Sequence, residues 1–366
     1  MKNLKLVNLL FILAASVLLV NCTTDPIPGP DGVDGVDGVD GVDGASGTAE
    51  CAACHNVEKS EEVHASYLFS GHYNENMDHD VDGDGINDPL SQYGNRGFGG
   101  LSCTSCHTND GYIDWAANGV SGAGGGHPVY PGIQTITCTT CHDTHTSFDF
   151  ETDGFDYALR RISPVMLVAE NSVTLNYEEE FTSHTCATCH QPRSTFEGSL
   201  NEDGTVNVGG RFGPHYGAQS TLLEGIQGAE IAGYDYPGAE GSASHRSGSS
   251  CVACHMGAST GKNDGLHTKK PTEATCVQCH SNGVPSEVTG YEQAYQTLED
   301  LLLAEGLLEI NDEGETSIVP NPATELIPAS ALWNYRMLYY DHSHGVHNPN
   351  YAKALIENSI EALNAN

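Results

Sequence analysis

The 366-residue chain has little positive charge: 14 lysines and arginines stand against 49 aspartates and glutamates, a net charge of −35 at neutral pH. Such a surface repels polyphosphates and anionic headgroups, so nucleic acid and anionic lipid are poor partners. A basic redox partner, a cationic mineral surface or bound calcium fits it better. Apolar residues are also scarce, at 38%, which is thin for a core in a chain of this size. The apolar run near the start, Leu9–Val20, is shorter than the ~20 residues that span a bilayer. With Lys2 and Lys5 ahead of it, the run reads as the h-region of a secretory signal. Methionine is rare as well: apart from Met1 there are Met77, Met166, Met256 and Met337.

Cysteine and histidine are present in register. Of 13 cysteines, twelve fall in six copies of Cys-x-x-Cys-His: Cys51/Cys54/His55, Cys103/Cys106/His107, Cys138/Cys141/His142, Cys186/Cys189/His190, Cys251/Cys254/His255 and Cys276/Cys279/His280. Two thiols two residues apart share one short turn, where each can add to one vinyl group of the same porphyrin. The histidine that follows is carried under the ring to the iron, so the unit is a haem c attachment signature. Zinc ribbons and disulfides also use paired cysteines. Neither needs a histidine directly after every second cysteine. The reading is six covalently bound haems, with the six motif histidines as proximal ligands.

An iron so held still has a sixth position, for which a spare histidine such as His267, between the last two motifs, is a natural occupant. There are 18 histidines, and the motifs leave twelve for at most six such positions. Histidine therefore outnumbers methionine as a second ligand, and bis-histidine ligation favours low potentials. A six-coordinate iron passes electrons but offers a substrate no open site.

Along the chain, residues 1–21 are the signal, and Cys22 at its end resembles a lipoprotein acylation site. Residues 22–48 carry glycine at every third position from Gly29 to Gly47, mostly as Gly-Val-Asp; they read as a flexible acidic stalk. Residues 49–290 hold the six motifs. Within them Asp80, Asp82, Asp84 and Asp88, with Gly85 at the turn, make a candidate calcium loop that lacks the closing glutamate of an EF-hand. His145 lies three residues beyond His142, too close to serve the same iron, and so must reach a neighbouring haem. Asp153–Thr174 alternates as a strand or two, and Arg160 and Arg161 are candidate partners for haem propionates. Residues 291–366 make a helical C-terminal segment: 291–309 and 323–340 have helical periodicity, and Asn348-Pro349 opens a last helix to about Leu363. The expected fold is loops and short helices wrapped around six stacked haems, with few strands and a helical C-terminal segment packed on the haem domain. Porphyrin would supply the apolar surface that the residues lack.

The segments CHDTH, CHQPR, GPHYGAQ, CVACHM and DHSHGVHNPNYA resemble those of multihaem cytochromes c, over roughly residues 49–366. The resemblance is to the broad group around ammonia-forming nitrite reductase, hydroxylamine oxidoreductase and the extracellular hexahaem cytochromes. It implies that histidines in such contexts are distal ligands: His72, His145, His215, His245 and His267, with His347 as the sixth and His127 and His184 in reserve. No motif here ends in lysine, as the catalytic one of nitrite reductases commonly does. The function that follows is electron transfer along six haems, between periplasmic or membrane donors and an extracellular or periplasmic acceptor. The protein would be exported and anchored in the outer membrane through a lipid on Cys22, or would stack into a filament. The rival is a reductase of a nitrogen or sulfur oxyanion at one five-coordinate haem.

Overall fold

The computed structural model describes residues 51–52, 55–74, 97–98, 101–102, 104–118, 135–145, 149, 157–177, 183–238, 243–261, 263–284, 288–312 and 314–365. Cys22, the stalk, Cys54, Cys103, His127 and the candidate calcium ligands Asp80, Asp82, Asp84 and Asp88 lie outside them. The chain divides into Met1–Ala53 and Cys54–Asn366. Only Cys51 and Ala52 are described in the first unit, and the rest of this section concerns the second.

Around the motifs the helices are short. The second to sixth motifs ride on Thr104–His107, Cys138–Cys141, His184–Cys189, Ser250–His255 and Glu273–Cys276. A single turn is all that is needed to point two thiols the same way, and glycine and proline between motifs stop it from growing. Two longer helices flank these turns: α1 (Val57–Tyr67), capped by Asn56, whose Oδ1 accepts the Lys59 N–H at 2.7 Å, and α2 (Asn109–Asn118). Arg160 is engaged with the third motif, donating to the carbonyls of Thr139 and His142 and pairing with Asp143 at 2.7 Å. The alternating stretch after it gives one minimal antiparallel pair, Val165–Met166 with Thr174–Leu175.

Beyond the last motif come α3 (Tyr291–Ala304), α4 (Leu326–Asp341) and α5 (Pro349–Ala365). Asn348 opens α5 by accepting the Tyr351 N–H at 3.0 Å. A hairpin of Leu308–Ile310 and Thr316–Ile318 interrupts the helical pattern between α3 and α4, and Asn321–Thr324 pairs with Val206–Val208. That second pairing ties the tail to the middle of the chain.

The main apolar core lies in this C-terminal layer rather than at the motifs. Trp333, Leu332, Tyr335 and Met337 of α4 pack with Leu298 and Leu302 of α3 and with Tyr351, Leu355 and Ile356 of α5. Phe196 and Phe212 stand edge-on to Trp333 at 5.8 and 5.3 Å. Asn334, fully buried at the centre, is satisfied by the N–H and C=O of Ala229 and by Ser359. α4 is buried nearly all round because it is sandwiched, which explains why its apolar residues form no stripe. The larger apolar cluster joins the tail to residues between Phe196 and Ala229, and around the motifs the buried side chains are largely polar: Thr104, Ser105, Thr140, Ser183, His184, Thr185, Thr188 and Ser250.

Candidate haem-binding site

Each motif histidine faces one other histidine. The pairs are His55–His145, His72–His190, His107–His215, His142–His267, His245–His280 and His255–His347, with ring centroids 6.0, 6.0, 6.4, 6.2, 6.2 and 6.2 Å apart. Rings at this distance are not stacked on each other. A metal–imidazole bond is ~2 Å, and two such bonds in line plus the two ring radii come to about 6 Å. The spacing fits one iron between two imidazoles.

The outward faces of these rings fit as well. The Nδ1–H of His142 donates to the Tyr157 carbonyl at 2.9 Å, that of His245 to Val346 at 2.7 Å, and that of His255 to Lys269 at 2.9 Å. His190 donates to the Gln219 side-chain oxygen at 3.2 Å, and His347 to the Asp341 carboxylate at 2.5 Å. A carbonyl can only accept, so Nδ1 carries the proton and Nε2 keeps the lone pair that a metal ion requires. Burial, helped by His190 and Lys269, pulls His72 down to about 3. Burial, with Arg193, His107 and Arg211, pulls His215 to about 3, and burial with Lys269 and His142 takes His267 to about 4. These imidazoles are neutral at physiological pH, as ligation requires. His347 alone moves upward: burial opposes its charge, but Asp341 outweighs it.

The ten described cysteines form no disulfide, and among the described residues no cluster of three or more His, Cys, Asp or Glu is placed to hold a metal ion.

The motifs themselves are packed together. Cys186 lies against Cys251, and Cys189 against Cys106, in side-chain contact. Cys141 stands within electrostatic reach of Cys186, and Cys254 within reach of Cys276 and Cys279. Hydroxyls hold these approaches. Ser183 Oγ meets Ser250 Oγ at 2.6 Å and accepts the Cys251 N–H at 3.0 Å. Asn109 Oδ1, in α2, accepts from Thr137, Thr139 and Thr140 of the third motif. The fourth motif is therefore the hub: it adjoins the second, third and fifth, and the fifth adjoins the sixth. The first pair joins the third through the three-residue step from His142 to His145.

The other histidines stand elsewhere. His64 is exposed on α1, His342 is exposed at the end of α4, and His344 pairs with Glu292. His184 is buried, and its Nε2 accepts the Tyr177 N–H at 3.0 Å. Protonating it would break that bond, and burial lowers its pKa. The folded state then binds a proton less readily than the unfolded state, so stability present above pH ~6.5 falls as the pH drops below it. Thermal melts between pH 7.5 and 5.5 should show this loss. His184→Gln, which keeps an acceptor but cannot titrate, should flatten part of it.

Three residues of the site carry no motif and are missed by sequence reasoning. Lys269 is a largely buried cation over the Tyr67 ring at 5.4 Å, among Cys138, Cys141 and Cys186. Its signal was its place, a lysine two residues past His267 in a chain with only 14 lysines and arginines. Gln219 and Asp341 orient His190 and His347, and each is legible only once the partner histidine is known.

Four of the six haem-attachment signatures, those from Cys51 to His190, fall within a family match. Residues 38–200 match the model of outer membrane cytochromes described as MtrC/MtrF-like, domains II/IV. Over that segment the chain is similar to multihaem outer membrane cytochromes. Among solved structures the chain is similar to the outer cell wall cytochrome OcwA, with a TM-score of 0.47 and 17% identity over 81% of this chain and 49% of that one. It thus spans about half the length of OcwA. No curated protein matches it. No helix among the described residues is long and apolar enough to cross a membrane.

Proposed function

We propose that this chain binds six haems c, each iron held between the two histidines of one facing pair, and conducts electrons between a membrane or periplasmic donor and an extracellular acceptor. The observation that carries the reading is the set of six pairs 6.0–6.4 Å apart, one for every motif histidine. Held by two histidines each, the haems would pass electrons without an open site for a substrate. The haem supplies the one-electron couple. The protein fixes the spacing between couples, excludes water and tunes each through the groups around its ligands. The adjacency of the motifs supports a branched path centred on the fourth site, rather than a single file.

The family match over residues 38–200 to outer membrane cytochromes supports a cell-surface location. The same reading has Cys22 acylated, residues 22–48 as the stalk that lifts the haem domain from the membrane, and calcium held by Asp80, Asp82, Asp84 and Asp88. Mass spectrometry of the mature N-terminus and calcium content after exhaustive dialysis test these two additions.

The central claim is tested by low-temperature EPR of the oxidised holoprotein with haem counted on the same sample. Low-spin signals that account for six irons are expected. A stoichiometric high-spin signal from one haem would overturn the conduit and favour the oxyanion reductase.

A further inference from the structure

Among the ligand histidines whose outer hydrogen bond is defined, four donate to neutral oxygens: His142, His245 and His255 to backbone carbonyls and His190 to an amide. His347 differs, because its Nδ1–H meets a carboxylate, Oδ1 of Asp341, at 2.5 Å. That carboxylate is 3% exposed. Its second oxygen accepts the Ser343 N–H at 3.2 Å and the Ser343 hydroxyl. Among the ion pairs of the described residues, Asp341 has no lysine or arginine partner; its pairing is with His347. The negative charge is therefore spent on the imidazole. The opposite ligand, His255, is itself anchored by the Lys269 carbonyl.

A carboxylate that accepts the outer proton of a ligand imidazole makes that ligand more basic, and hydrogen bonding and charge around the axial ligands set haem potentials. A more electron-rich ligand and a buried negative charge both stabilise ferric over ferrous iron. We propose that Asp341 is a positioning residue that holds the fifth haem site, Cys251–His255 with His347, at a lower reduction potential than its neighbours. The inference rests on the ligation proposed above. Its consequence lies in the layout: the fifth site adjoins the fourth through Cys186 and Cys251 and the sixth through Cys254 and Cys276. A low-potential site there makes an uphill step before the sixth haem and sets how readily electrons reach it.

Asp341→Asn keeps the size and an acceptor oxygen but removes the charge. In a spectroelectrochemical titration of the full-length holoprotein, one of six one-electron components should move to higher potential by a factor of ten or more in its reduction equilibrium, about 59 mV for one electron. The other five should stay in place and all six haems remain low-spin. Ser343→Ala retains the charge and removes one of its donors, so it should shift the same component the other way. Six unmoved components in Asp341→Asn, with six low-spin haems, would overturn the proposal. So would a new high-spin haem in that variant, which would make Asp341 a prop for His347 and no more. His347→Ala separates the premise from the inference. One high-spin haem is the result the ligation requires, whereas six low-spin haems would remove His347 from the iron whatever the aspartate variant does.

Discussion

Replacing Cys186 and Cys189 together with alanine should leave a protein with five haems whose two ends no longer exchange electrons at a useful rate. The reason is position. Cys186 touches Cys251, Cys189 touches Cys106, and Cys141 stands near both. Among the described cysteine contacts, those that link the second and third motifs to the fifth run through the fourth. Electron tunnelling decays exponentially with distance, so removing the hub converts two short hops into one long gap and slows transfer by orders of magnitude. Removing the first site, at the end of a branch, should lower the haem count equally and leave exchange among the remaining haems intact. Haem quantitation with flash-induced or stopped-flow reduction kinetics on both variants checks the prediction. Equal rates in the two would refute the branched layout. Far-UV circular dichroism shows whether the variant keeps its helices.

Gly217→Ala should be the most damaging single methyl in the described site. A Cβ on Gly217 would stand 2.1 Å from the Gln191 carbonyl oxygen and 2.9 Å from its nitrogen, both backbone atoms that cannot rotate away. Added methylenes in packed sites cost about 1–3 kcal/mol when side chains can adjust, and here they cannot. The segment that would be displaced carries His215, opposite His107, and Gln219, which orients His190. Two haems are therefore expected to lose low-spin character together. Gly209→Ala is the control, because a Cβ there meets nothing within 4 Å. EPR and chemical denaturation of the two variants should differ sharply, and matching behaviour would exclude a steric role for Gly217.

The sequence was most legible where chemistry demands a fixed spacing. The motif cysteines and histidines could be named from covalent logic alone, and the helices of the tail from their period. The facing partners His72, His145, His215, His245, His267 and His347 were nameable only through the resemblance of short segments. Nothing in local sequence says that His142 should meet His267 rather than His245, because pairing is decided by tertiary packing. The helical period of α3 carries on through Leu307, Leu308 and Glu309, where the chain instead begins the strand Leu308–Ile310. Gly306, at φ +70°, breaks that run with a left-handed turn. Asp341 was hidden for a different reason. As one of 49 acidic residues, it differs from the others in being buried beside a ligand, which composition cannot show.

The facing histidines also have a topological meaning. Residues 55 and 145, 72 and 190, 107 and 215, and 142 and 267 are each brought together across long stretches of chain, and each loop so closed begins inside the one before it. With an iron at each junction, the chain is cross-linked in overlapping loops, much as a small secreted protein is knitted by disulfides. Closing a long loop removes entropy from the unfolded chain. Overlapping closures restrict that chain further, because no segment between residues 72 and 215 can be released without opening two of them. The cofactors would then act as the fasteners of a chain short of apolar side chains, and resistance to unfolding would fall in steps as individual irons are lost.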